Sequence, residues 1–155
     1  MATNMGRKFF VSETPQPNDM TLTEFEVITD WVEVTKVGEV SESGVNTNIL
    51  SYPTMDTEFT NKGKGISDAG DQTITCRYVA DDPGQILMSE LAKTNMDYAF
   101  KTVWNDQLTA GGAGTTKYDR GIIVGPVVSG GGPEDFHTLT WTCGFQQRYV
   151  EVPAT

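Results

Sequence analysis

Along much of this chain, apolar and polar residues alternate one for one. In Leu139-Thr140-Trp141-Thr142-Cys143-Gly144-Phe145 the bulky residues hold the odd positions and the threonines the even ones. Successive side chains of a strand point to opposite faces, so a period of two marks a strand with one packed face and one wet face. The same rhythm runs through Thr73 to Ala80, where Ile74, Cys76 and Tyr78 share a side. It recurs in Asp97 to Asn105 with Tyr98, Phe100 and Trp104, and in Lys117 to Val128 around Tyr118, Ile122 and Val124. Strands wet on one face belong to antiparallel sheets. Composition agrees: 57 of the 155 residues are Thr (21), Val (14), Ile (7) or aromatic (15), against 6 Leu and 8 Ala. That balance excludes a helical bundle. The expected fold is mainly β: a β-sandwich or partly closed barrel of seven or eight strands, with one short flanking helix and a long protruding loop.

The helix is expected at about residues 83 to 94. Asp82 is a suitable N-cap, Pro83 occupies the first helical position, and Gln85 falls where a capping-box partner belongs. Leu87, Met88 and Leu91 then make one apolar stripe, with Lys93 near the negative end of the helix dipole. Residues 1–22 read as an N-terminal arm ahead of a single domain, 23–155. The arm is polar and carries Pro15 and Pro17, which cannot donate to a ladder. Its basic-aromatic patch Arg7-Lys8-Phe9-Phe10-Val11 offers Phe9 and Phe10 either to the domain surface or to a neighbouring subunit. From Thr23 to Glu42, Phe25 and Val27 alternate with Glu24 and Glu26, and Val32 and Val34 with Glu33 and Thr35; this predicts one kinked strand or a hairpin. Ser43 to Gly70 is glycine-rich and polar, with a weak strand signal at Asn48 to Tyr52. Loops of that length are uncommon inside compact domains, so a protruding hairpin or flap is expected.

No catalytic constellation emerges. His137 is the only histidine and stands in phase with Leu139 and Trp141, as a structural residue at a strand start would. Cys76 and Cys143 lie on inward strand positions, too few for a disulfide framework or a zinc site. Gly111-Gly112-Ala113-Gly114-Thr115-Thr116-Lys117 lacks the Gly-Lys-Ser/Thr order of a phosphate loop and precedes a strand. Asp68, Asp71, Asp81 and Asp82 lack the ligand series of a calcium loop. The chain is therefore expected to be no enzyme and to need no cofactor or metal. Its net charge of −10 gives it no general attraction for nucleic acid or an anionic membrane. The longest apolar run, Ile122 to Val128, is far short of the ~20 residues that span a bilayer. The start lacks the apolar stretch of a secretory signal, so a cytoplasmic site of synthesis is expected.

The order of elements resembles the major tail tube proteins of long-tailed bacteriophages. The likeness rests on Asp71 to Leu91, a strand leading through an Asp-Pro-Gly cap into one helix, and on Tyr98 to Trp104, Arg120 to Val128 and Leu139 to Phe145. It implies a virion protein made in the host bacterial cytoplasm and assembled as stacked hexameric rings around a channel. DNA would pass through that channel without specific binding. Tape measure and tail terminator proteins are the implied partners. The resemblance makes the loop 43–70 an inter-ring contact, through Ser43, Tyr52, Met55, Phe59, Lys62 and Lys64. It makes the arm, through Phe9 and Phe10, a bridge between subunits. A wall of like charge lets DNA slide, and Glu24, Glu26 and Glu33 are the candidate lumen-facing acids. Two rivals stand beside this expectation. One is another tail component of similar build, such as a single-ring terminator or the inner tube of a contractile machine. The other is a carbohydrate-binding sandwich, which requires exposed coplanar aromatics.

Overall fold

The computed structural model describes residues 3–155. Met1 and Ala2, the start of the expected arm, lie outside the described residues. The chain runs β1 (Lys8–Pro15), α1 (Leu22–Glu26), β2 (Trp31–Val34), β3 (Val37–Val40), β4 (Asn46–Tyr52), β5 (Asn61–Asp68), β6 (Asp71–Arg77), α2 (Pro83–Leu91), β7 (Tyr98–Val103), β8 (Thr116–Val128), β9 (Thr138–Phe145) and β10 (Val150–Val152). Eight strands form one antiparallel sheet in the order β2-β1-β7-β8-β9-β6-β3, with β10 also on β8. β4 and β5 form a separate sheet of two.

The thirteen residues of β8 organise the body. Its first half, Thr116 to Gly121, pairs with β7, and its second half, Gly121 to Val128, pairs with β9 across a bulge between Val124 and Val127. One long strand thus serves two half-sheets, which fold over a shared core without closing into a barrel. That core takes Phe9 and Val11 from β1, Phe100 from β7, Ile74 and Cys76 from β6, and Leu139, Trp141, Cys143 and Phe145 from β9. The mainly-β, sandwich-like expectation is borne out. The alternation read in Leu139 to Phe145 is realised position by position, every odd residue buried and every even one half-buried.

Helix α2 forms where expected and ends three residues earlier. Asp82 Oδ2 accepts from the Gln85 amide at 3.0 Å, and its carboxylate also takes the Thr35 hydroxyl at 2.6 Å, tying the cap to the end of β2. Gln85 does not close a capping box. Its Oε1 accepts from the Val79 amide and its Nε2 donates to the Thr35 and Arg77 carbonyls. Met88 and Leu91 are buried in the main core. Gly84 is required for this docking, since a Cβ there would meet the Glu33 carbonyl oxygen and the Val34 Cα.

The N-terminal segment is not an arm. Lys8–Pro15 is a strand between β2 and β7, with Phe9 paired to Val34 and Thr102. Phe9 stacks on Phe100 at 5.8 Å inside the core, so it has no face to offer another subunit. Phe10, on the other side of the strand, is half-buried under the Lys101 ammonium at 4.5 Å. Pro15 ends the strand rather than forbidding it. The residues beyond are riveted down by Arg120: it donates to the Gln16 carbonyl at 3.0 Å, to Asp19 at 2.6 Å, to Asp97 at 2.8 Å and to Gln147 at 3.0 Å. Gln147 in turn bonds both backbone groups of Met20.

Thr23 to Glu42 also differs from expectation. Its first part is the helix α1, and β2 and β3 lie at opposite edges of the sheet rather than in one hairpin. A four-residue alternation carries little information about period, and burial of Phe25 decided the outcome. Its ring stacks on Tyr118 at 5.2 Å in a second, smaller core, while Val27 is left in solvent. The inward face read for β6 holds at Ile74 and Cys76 but not at Tyr78, which lies past the strand end and is exposed.

Candidate functional site

The strands β4 and β5 project from the body and pair only with each other. At about 3.3 Å per residue, the eight residues of β5 reach roughly 25 Å. An isolated two-stranded hairpin is marginal in water, so most of its stability must come from what it touches. Yet Ile49, Leu50, Tyr52, Met55, Phe59 and Ile66 all stand in solvent, Phe59 at 80% exposure and Tyr52 at 73%. Scattered exposed apolar residues are ordinary; six concentrated on one projecting element make it the candidate interaction surface.

The register divides this element into two faces. Ile49 sits opposite Lys64 and Ser51 opposite Lys62, which makes one face apolar and basic. Leu50 opposes Gly63 and Tyr52 opposes Asn61 on the other. There the glycines leave bare backbone beside the side chains; a Cβ on Gly65 would press on Leu50 Cγ at 3.3 Å. One face is thus flat and apolar, and the other carries two of the chain's eleven basic residues.

The root is held firmly. Ser43 Oγ takes a hydrogen bond from Lys117 Nζ at 2.7 Å and one from Gln72 Nε2 at 3.3 Å. Gly70 turns the chain at φ +86, where a Cβ would stand 2.6 Å from the Gly44 carbonyl oxygen. Lys117 is itself buried and lies 3.6 Å from Asp119 on the inner face of β8. Burial pushes the Asp119 carboxyl up to about 6, against the opposing pull of Lys117 and Arg7.

Of the residues expected to make inter-ring contacts, Tyr52, Met55, Phe59, Lys62 and Lys64 stand exposed on the hairpin or its tip. Ser43 does not: it is spent on Lys117 and Gln72 at the root. Glu24 and Glu26 are exposed but lie on α1, not on a strand, and Glu33 is exposed on β2. The sequence reading missed Ile49, Leu50 and Ile66. The available signal was Ile49-Leu50 itself: two adjacent apolar residues in a strand must point to opposite faces, and a strand at a protein surface has only one face to bury.

The sites set aside on sequence grounds stay ordinary in three dimensions. His137 is exposed one residue before β9 and stacks on Tyr78 at 4.6 Å. Cys76 and Cys143 are buried; burial pushes the Cys76 thiol up to about 12, with the nearby Asp82 charge adding, and raises Cys143 further. Thiols so placed are not nucleophiles at neutral pH. Among the described residues no group of three or more His, Cys, Asp or Glu is placed to hold a metal ion, and no helix is long and apolar enough to cross a membrane.

No family model matches the chain, and no curated protein matches it in sequence. Its fold is similar to that of a chain in the cryo-EM structure of the anti-feeding prophage (AFP) baseplate, 6-fold symmetrised. The TM-score is 0.64 at 7% identity, over 96% of this chain and 92% of that one. Two sequences that far apart share the path of the backbone and little of the surface.

Proposed function

We propose that this chain is a structural component of a phage-tail-like particle, in which copies associate into rings and the β4–β5 hairpin of one copy seats on the body of another. The observation that carries this reading is the hairpin: six apolar side chains on an element that its own chain leaves uncovered. A free monomer gains nothing from that exposure, whereas in a closed assembly each hairpin is covered by an identical neighbour. The fold shared with a chain of a six-fold prophage baseplate supports the same reading. So does a charge of −10, which disfavours adhesion of any nucleic acid passing through a ring. In this arrangement the exposed acids Glu24, Glu26 and Glu33 face a channel, rings stack into the tail tube of a virion, and tape measure and terminator proteins meet its ends.

A second reading, a single ring at the end of a tail, is favoured by the neighbour's being a chain of a baseplate structure. Negative-stain microscopy of the concentrated protein separates the two. Long tubes of stacked rings support the tube component, and isolated rings support the terminal one. A species that stays monomeric across concentration and salt would sink both.

A further inference from the structure

Beside the hairpin root the rolled sheet has an open end, a cavity of about 530 Å³. We infer that this mouth receives an acidic peptide segment from a second copy of the chain, an inference that rests on the assembly proposed above.

Three basic residues converge there in a molecule of net charge −10: Arg7, Lys117 and Arg148. The Arg7 guanidinium lies 4.5 Å over the Trp104 ring, and its Nε is buried with no hydrogen-bond partner. Lys117 is answered by Asp119 and packs 5.0 Å from the Tyr149 ring. No acid comes within 4.0 Å of Arg7 or Arg148 among the described residues; Glu42 and Glu151 stand exposed at the rim. Gln72, which lines the same cavity, is 2% exposed. Its Nε2 is used by the Ser41 carbonyl and Ser43 Oγ, while its Oε1 has no partner.

A buried donor and a buried acceptor left unmade are both costly, so the two together specify what fills the cavity. Arg7 requires an acceptor, best a carboxylate, because charge-assisted bonds are the strong ones. Gln72 Oε1 requires a hydrogen-bond donor, which a main-chain N–H supplies. A main-chain amide next to an Asp or Glu side chain presents both at once; an inorganic anion presents only the first. The occupant is a second copy because Ser43, Gly44 and Val45 of the hairpin root line this same cavity, so a body seated on the hairpin lies against the mouth. Each copy also carries 21 acidic residues from which to supply the segment.

The test titrates N-acetyl-glutamate N-methylamide into the dilute full chain at constant ionic strength. The Arg7 Nε–H and Gln72 side-chain amide resonances report binding, and sodium acetate is the comparison ligand. The expected result is a saturable shift of both resonances by the peptide analogue, weaker with acetate, with the Gln72 shift lost in Arg7→Gln. In parallel, Arg7→Gln/Arg148→Gln is expected to raise the concentration at which rings form by about tenfold, the loss of one charged hydrogen bond, while the variant melts like the parent. Absence of any saturable shift in a chain that still assembles would overturn the cavity alone. Acetate binding as tightly as the analogue, with assembly of the double variant unchanged, would overturn the peptide as occupant. A parent chain that never assembles would overturn the second copy and the proposed function together.

Discussion

The body and the hairpin are built from the same strand-forming residues and obey opposite rules. In β9 every second side chain is buried, and each strand of the body has neighbours that cover it. In β4 and β5 almost nothing is covered, although Ile49, Leu50 and Tyr52 are as apolar as the residues of the core. Strand chemistry alone therefore does not place a segment inside a fold. What differs is the cover: the body buries its own apolar residues, and the hairpin leaves Ile49, Leu50 and Tyr52 in solvent.

That contrast can be broken at three points. The largest effect is expected in the core. Trp141→Ala removes a fully buried ring that both half-sheets pack around, and should cost about 3–5 kcal/mol in urea unfolding of the dilute protein. A cost below about 1 kcal/mol would mean that the Trp141 ring is not packed within the main core. An intermediate effect concerns Asp119. Its carboxyl titrates near 6 in the folded chain, above its unfolded value, so the folded state holds the proton more tightly. Asp119 therefore costs stability progressively as pH rises from about 4 to 6, fully so above that window. Asp119→Asn should gain on the parent chain across that window, and the difference between their unfolding free energies should be level above about pH 7. A difference independent of pH would place the carboxyl in water. The smallest effect is expected on the hairpin. Met55→Ser/Phe59→Ser should leave monomer stability within about 0.5 kcal/mol, because neither side chain has a packed neighbour to lose. The same variant should no longer form rings in the micrographs that show them for the parent. A large loss of monomer stability would make the hairpin part of the fold rather than an extension of it.

Several elements were legible before any coordinates. β9 and α2 were, because each carries a complete local code: an eight-residue alternation in one, and a cap, a proline and an apolar stripe in the other. The protruding hairpin was legible as an anomaly, being too long and too rich in glycine for an internal connection. The first forty residues were not. Phe25 and Val27 alternate as strand residues do, and yet Phe25 lies within a short helix that Val27 caps, because the ring of Phe25 is held by Tyr118, far along the chain. Lys8–Pro15 looked like an arm because its prolines and charges are local signals, whereas its place between β2 and β7 depends on distant partners.

The amino-acid sequence by itself determined the class of fold, the helix cap, the inward face of the last long strand and the presence of an unusual insertion. Each of these arises from interactions within a few residues. Only the tertiary structure decided that the N-terminal segment is an interior strand, between β2 and β7, and that Arg120 rivets Gln16 and Asp19 just beyond it. It alone placed Ser43 at the root of the hairpin and brought Arg7 and Gln72 to face one cavity. Those outcomes depend on contacts between residues far apart in the chain, and a buried charge or amide finds its partner only once the sheet has rolled up around it.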